Sequence, residues 1–276
     1  MFIFMNKLPI AKRAQILSLL VEGSSLRSIS RVCDVSINTV TKLLEDAGEA
    51  CAAYHDANVR NVKATRIQVD EIWAFCAAKA KNVATMKKPV DGAGDIWTWT
   101  AIEADTKLIV SFFVGSRDGD CARWFIEDMA TRLANRVQLT SDGHNAYLQA
   151  IEGVFGADID YAMLIKLYGT SSDATKGRYS PAECTGAIKT PIEGTPDPKH
   201  ISTSFAERQN LTMRMSMRRF TRLTNAFSKK VENHAHALAL YFVHYNFCRI
   251  HKTLRRRRQW PLDCPRRFGT CRISWR

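Results

Sequence analysis

The sequence predicts a mixed-sheet α/β domain preceded by a small all-α unit, and three observations predict it. Residues 7–48 show apolar positions at helical spacing, with helix caps between them. Residues 66–169 change to β-rich runs that alternate with helical stretches. Helical patterning then returns from Ala206 and runs, with breaks, to about Leu254.

The first helix starts at Pro9, a residue suited to a first helical position, and stops at Gly23. Ala11, Ala14, Leu17 and Val21 give it one apolar stripe. Ser25 caps the second helix, which carries Leu26 and Ile29. A tight turn at Cys33-Asp34-Val35 follows, and Ser36 caps a third helix that ends at Gly48. There Val40, Leu43, Leu44 and Ala47 face inward, while Asn38, Thr41, Lys42 and Glu45 line the opposite face. Two short helices across a tight turn, the second showing polar side chains outward, make a helix-turn-helix arrangement that fits the major groove of DNA. In that reading Asn38, Thr41 and Lys42 reach base edges, and Arg27 and Arg31 hold phosphates. The alternative is a three-helix packing module without DNA. The boundaries are a helix-turn-helix domain at 1–50 and, at 51–65, an Ala-rich linker or continuing helix.

RIQVDEIWAF (66–75) is the first strand, and DIWTWTAIEA (95–104) alternates around Trp97 and Trp99. KLIVSFFV (107–114) is almost wholly apolar, as a central strand is. A helix fits 118–135, with Cys121, Trp124, Phe125, Met129 and Leu133 inward. RVQLTSD (136–142) is a strand, NAYLQAIEGVFG (145–156) a helix and YAMLIKLYG (161–169) a fifth strand. Residues 170–203 lose periodicity and fill with Gly, Pro, Ser and Thr. That stretch exceeds the ~12–15 residues of a plain loop and reads as an insertion, functional or disordered. Three strands, helix, strand, helix, strand, helix is the order of the ribonuclease-H-like fold, here over 66–255, with a basic tail at 256–276.

Composition narrows the function. With 276 residues, 46% hydrophobic and 24% charged, the chain is too apolar for disorder. No window approaches the ~20 uncharged apolar residues of a membrane span. Eight cysteines without a close pair indicate neither a disulfide framework nor a zinc ribbon, and a reducing cytoplasm is the expected setting. The net charge is +13, and its distribution is uneven. Residues 201–276 hold 17 Lys and Arg against 3 Asp and Glu, whereas residues 1–200 hold 23 against 24. A basic last quarter without a strongly amphipathic helix points to nucleic acid rather than a membrane.

Three acids fall at telling places. Asp70 lies inside the first strand, flanked by Val69 and Ile72; Asp142 ends the fourth strand; Glu207 opens the late helix. In the ribonuclease-H-like order the first and fourth strands are neighbours, so Asp70 and Asp142 point at one spot and the helix brings Glu207 to it. Such carboxylates repel one another unless divalent cations sit between them, and hard oxygen ligands suit Mg2+ or Mn2+. Two such ions ~3.5–4 Å apart clamp the attacking and leaving oxygens of a phosphodiester. Each acid alone has a structural reading: a turn before Gly143, a strand edge, a solvated helix carboxylate. Their joint placement carries the argument. Glu71 is expected on the opposite face of the strand, with a structural role or as a support behind the acids. Asn210, Arg214 and Arg218, at i+3, i+7 and i+11 from Glu207, extend its face as a phosphate-binding row, and Arg222 follows a turn later.

At these residues the chain resembles a DDE transposase of the insertion-sequence-one family. QVDEIWAF, SDGHNAY, FAERQNLTMRMSMRRFTRLTNAFSKK and HALALYFVHYNFCRIHKTLR resemble that family's blocks, over roughly 66–255. The resemblance implies transposition of a DNA element with magnesium as cofactor, and Asp70, Asp142 and Glu207 match the three catalytic acids. It also implies that the helix-turn-helix recognises the element's terminal inverted repeats. His251 and Lys252 match a block downstream of the glutamate and are read as DNA contacts. Because two ends are cut and joined together, a homo-oligomer on double-stranded DNA is expected. The rival readings are a helix-turn-helix regulator without catalysis and a ribonuclease-H-like nuclease that cuts without joining.

Overall fold

The structure is a computed structural model, and it describes residues 8–169, 184–221, 225–251, 254 and 258. Arg222, Lys252, residues 170–183 and the tail apart from Arg258 lie outside the described residues. The chain forms two compact units: Met1–Asn58, Ala74–Asp95 and Thr212–Arg276 in one, Val59–Trp73 and Ile96–Leu211 in the other.

The first unit is helical, with α1 (Ile10–Val21), α2 (Leu26–Cys33), α3 (Ile37–Asn58), the short α4 (Ala80–Val83) and α8 (Val231–Val243). Its N-terminal helices enclose Ile16, Ile29, Cys33 and Val40, with Leu19, Leu20, Leu26 and Leu43 against them. The inward faces of α2 and α3 are those expected from spacing. α1 is not: Ala11 and Ala14 are exposed, and Ile16 takes the core position. Turning the helix toward Ile16, Leu19 and Leu20 buries far more apolar surface than two alanine methyls offer. Both expected caps form, Ser25 Oγ accepting from Ser28 N and Ser36 Oγ from Thr39 N, each at 3.1 Å. Between them Asp34 turns the chain at φ 47°. α3 does not stop at Gly48 but continues to Asn58. A Cβ at Gly48 would lie 2.3 Å from Cβ of His236 in α8, so this glycine permits close helix packing rather than ending a helix.

The second unit is built on a six-stranded mixed sheet, ordered β3-β2-β1-β4-β5-β6. The strands are β1 (Arg66–Cys76), β2 (Gly94–Glu103), β3 (Ile109–Gly115), β4 (Gln138–Ser141), β5 (Asp160–Tyr168) and β6 (Cys184–Glu193). β4 runs parallel to both β1 and β5, while β2–β3 and β5–β6 are antiparallel. The helices are α5 (Gly119–Arg132), α6 (Ala146–Phe155) and the start of α7 (Ser204–Ser216). This is the expected ribonuclease-H-like arrangement with one strand more. The added β6 lies within the aperiodic 170–203 stretch. An edge strand exposed along nearly its whole length needs no apolar alternation, and it carries Pro191 beside a register shift, where proline is tolerated.

α5 is capped by Asp118, whose Oδ1 accepts from Cys121 N at 2.9 Å. Cys121, Phe125 and Met129 are buried as expected, but Trp124 is 55% exposed. The i, i+4 ladder through 121, 125 and 129 leaves position 124 on the flank, where Trp124 meets Phe113 at a ring separation of 6.2 Å. Trp99 is the largest fully buried side chain, set against Phe125 and Tyr147 at 5.9 and 5.4 Å. No helix among the described residues is long and apolar enough to cross a membrane.

Candidate active site

Strand register assembles the site. β1 and β4 pair in parallel from Arg66↔Gln138 to Gln68↔Thr140. Two residues further along both chains, Asp70 reaches the level of Asp142, which follows β4. Parallel strands thus deliver two carboxylates to the same end of the sheet from positions 72 residues apart. Oxygens of Asp70, Glu71 and Asp142 all lie within 4.8 Å of one another.

Each carboxylate is oriented by its own neighbours. Asp70 Oδ1 accepts from Glu71 N, and its Oδ2 from Asn210 Nδ2, both at 2.8 Å. Asp142 Oδ1 accepts from His144 N at 3.0 Å, which folds the loop after β4 back on itself. Gly143, between them, lies close under Ile165: a Cβ there would sit 3.2 Å from Ile165 Cγ1.

α7 is fastened to the same strand. Gln68, two residues before Asp70 and on its face, accepts at Oε1 from Phe205 N (2.7 Å) and Ala206 N (3.2 Å). A buried amide oxygen thereby satisfies helix N–H groups that have no partner within the helix. The next residue, Glu207, is held by Thr203, whose hydroxyl donates to Oε1 at 2.6 Å, and by the ammonium of Lys166. Glu207 is therefore near the cluster but outside it, its charge offset by a lysine from β5.

Burial, then the charges of Glu71 and Asp142, push the Asp70 carboxyl up from 3.8 to about 8. A divalent cation would reverse each of these effects, since it offsets the like charges and replaces lost hydration. The donor set is hard oxygen throughout, which matches Mg2+ or Mn2+. The Oδ1 of Asn210 is a further oxygen, buried beside Asp70 without a hydrogen-bond partner. The residues present fit such an ion.

No family model matches the chain, and no curated protein matches it. Solved structures do. The Mos1 transposase paired-end complex with left transposon end is 11% identical, with a TM-score of 0.24, over 56% of this chain and 60% of that one. The Mos1 strand transfer complex is 12% identical over 56% of this chain and 59% of that one, with a TM-score of 0.25. The piggyBac transposase synaptic complex with hairpin DNA is 8% identical over 85% of this chain and 65% of that one, with a TM-score of 0.35. The match to Mos1 thus spans about three fifths of the Mos1 chain. Likeness at this level bears on neither activity nor partners.

Among the sequence-predicted residues, Asp70 and Asp142 come together. Glu71, read from the sequence as a structural or supporting residue, lies with them. Its carboxylate is held by Arg117 (2.7 Å) and Tyr147 (2.8 Å). Asn210 belongs to the site rather than to an outward row, because its amide is bound to Asp70 and nearly buried. The row itself is interrupted: α7 ends at Ser216, so Arg218 lies in a separate 3-10 turn, Arg218–Phe220, and not at i+11 on one helix. Arg214 is half-buried and Arg218 exposed. Arg27, Arg31, Asn38 and Lys42 are exposed, and Lys42 pairs with Asp46 at 3.8 Å. Thr41 donates its hydroxyl to Ile37 O at 3.0 Å. His251 accepts at Nδ1 from Leu254 N at 3.2 Å, closing a local turn. Sequence reasoning missed Gln68, Arg117, Tyr147, Lys166 and Thr203. The adjacent acids Asp70 and Glu71, set between apolar Val69 and Ile72, are the available signal that two charges need partners there.

Proposed function

We propose that this chain is a DDE transposase, cutting DNA at the ends of a mobile element and joining the freed 3′ ends to target DNA. The observation that best supports this is the meeting of Asp70 and Asp142 at one level of parallel strands, with α7 tied to the same strand through Gln68 and Asn210. The sequence blocks that resemble the insertion-sequence-one family lie on these elements, and the basic last quarter suits a polyanionic substrate.

Asp70 and Asp142 would hold Mg2+ or Mn2+, two ions per site, with Glu207 completing the second position. When bound, these cations supply a nucleophilic oxygen and offset charge on the scissile phosphate. The chain's own residues do the rest. Asn210 keeps Asp70 in one rotamer, and Thr203 does the same for Glu207. Lys166 offsets Glu207 here, and a metal ion would take over that role. Asn38, Thr41 and Lys42 on α3 would read the terminal repeats in double-stranded DNA, with Arg27 and Arg31 on its phosphates. Arg214, Arg218, Arg222, His251 and Lys252 would contact the backbone, and a homo-oligomer would hold two ends together.

Purified protein is to be mixed with DNA carrying the sequences that flank its gene, target plasmid and Mg2+. Nicking and strand joining are expected, and both should be lost in Asp70→Asn, Asp142→Asn and Glu207→Gln. Full activity in those variants would refute the reading. Cutting without joining would make the protein a nuclease, and tight binding without cutting a regulator.

A further inference from the structure

Arg117, two residues beyond the end of β3, is held more firmly than a half-exposed arginine usually is. Its Nε donates to Glu71 Oε1 at 2.7 Å. The Glu71 side chain is only 1% exposed, whereas that of Arg117 is 40% exposed. The other Glu71 oxygen accepts from the hydroxyl of Tyr147, itself fully buried, at 2.8 Å. The guanidinium carbon lies 4.9 Å from the ring centre of Trp97. A buried carboxylate thus fixes one edge of the guanidinium, and an aromatic ring fixes its place.

This arrangement is costly for folding alone. Glu71 is buried beside Asp70 and Asp142, where a third negative charge is unfavourable, and burying an ion pair seldom adds stability. What it does provide is a cation with a set orientation at the rim of the acid cluster. With Nε bound to Glu71, the two Nη groups keep the fork that matches paired phosphate oxygens. A phosphodiester drawn to Asp70 and Asp142 would come within reach of a guanidinium held on the third acid of that cluster.

We propose that Arg117 is a DNA-phosphate contact of the active site, and that Glu71 and Trp97 are its positioning residues. The inference rests on the proposed function, since it takes the acid cluster as the place where DNA binds. It assigns Glu71 the orientation of Arg117 as its task. The contact lies outside the basic last quarter, so net charge gives no hint of it.

The test measures binding of the full chain to a fluorescent DNA duplex over a salt series, with Ca2+ as the oxygen-seeking cation. Arg117→Gln should bind about tenfold more weakly. Its plot of log affinity against log salt should be shallower by about one. Arg117→Lys should keep the slope and still lose affinity, because an ammonium retains the charge without the fork. Trp97→Leu should weaken binding in the native background and add nothing in the Arg117→Gln background. Thermal denaturation verifies that each variant folds. A folded Arg117→Gln with native affinity and slope overturns the proposal; if that variant does not fold, native affinity in Arg117→Lys overturns it instead. Asp142→Asn tests the proposed function separately. If it still cleaves while Arg117→Gln has lost affinity, the transposase reading fails and the phosphate contact stands.

Discussion

Where β1, β4 and β5 begin, acids and cations alternate. Arg66 pairs with Asp105 and with His200, and Arg136 pairs with Asp158 at 3.6 Å and Asp160 at 2.9 Å. Arg136 also donates to the carbonyls of Ala157 and Ile159. Arg66, Asp105, Arg136 and Asp160 line a cleft of about 470 Å³, together with Asp197 and His200. At the far ends of the same strands Asp70, Glu71 and Asp142 gather with one guanidinium at their edge and Lys166 on Glu207. The difference teaches where to look for chemistry. At the first end each acid touches Arg66, Arg136 or His200. At the second, among the described residues, Asp70 and Asp142 accept hydrogen bonds only from backbone N–H groups and the Asn210 amide. In this unit, carboxylates gathered without a cation on them mark the candidate site.

The largest expected effect breaks that symmetry directly. Asp142→Asn at the acidic end should lower Mg2+-dependent DNA cleavage by more than about a hundredfold. It should leave the metal-free protein at least as resistant to heat, because a repulsive charge has gone. Asp105→Asn at the paired end should leave cleavage unchanged and cost under about 1 kcal/mol, since the pair it breaks is partly exposed. Nicking rates and melting curves for both variants check this. Equal loss of cleavage in the two would mean that both ends serve the reaction.

The two ends should also respond to pH with opposite signs. The Asp70 carboxyl is raised to about 8 from its ordinary 3.8. In the unfolded chain it ionises first, so stability is full below the ordinary value and is lost as pH rises toward 8. Asp160 is lowered, chiefly by its hydrogen bond from Arg136 and then by the Thr195 N–H. Its contribution is present above the ordinary value and is lost as pH falls through it. Urea denaturation of the metal-free protein across pH should show both declines. Asp70→Asn should remove the neutral one and Asp160→Asn the acid one, and Mg2+ should flatten only the first.

Much of this was legible in the sequence, because period and order are local properties. Residues 66–169 gave each strand and helix of the sheet in order, and the convergence of Asp70 with Asp142 follows from strand order alone. Three things were not legible. β6 hides because an edge strand exposed on both faces has no apolar period. Gly48 looked like a helix end because its close partner, His236, is distant in sequence. Glu71 is expected behind the acids, yet its carboxylate lies within 4.8 Å of theirs, because alternation gives a side chain's first direction and says nothing of where its carboxylate ends. Side-chain pairs such as Lys166 with Glu207 and Gln68 with α7 depend on register between elements, which periodicity does not encode.

Two glycines give the smallest and most local contrast between the ends. Gly194, at the paired end, has φ +67°, and a Cβ there would lie 2.4 Å from Asp160 Oδ1 and 2.6 Å from the carbonyl oxygen of Ile159. Alanine must strain the backbone and push apart the contacts around Arg136, so Gly194→Ala should destabilise by about 1–3 kcal/mol and leave cleavage alone. Gly143, at the acidic end, meets only a side chain, with 3.2 Å to Ile165 Cγ1. Ile165 is 40% exposed on β5 and has room to yield. Gly143→Ala should therefore cost well under about 1 kcal/mol. Its effect should appear instead in cleavage, because a shift of a few tenths of an ångström there moves Asp142 relative to Asp70. Chemical denaturation and nicking rates on the same two variants separate the outcomes. A Gly143→Ala protein that loses stability without losing activity would show that the loop after β4 serves packing and does not position Asp142.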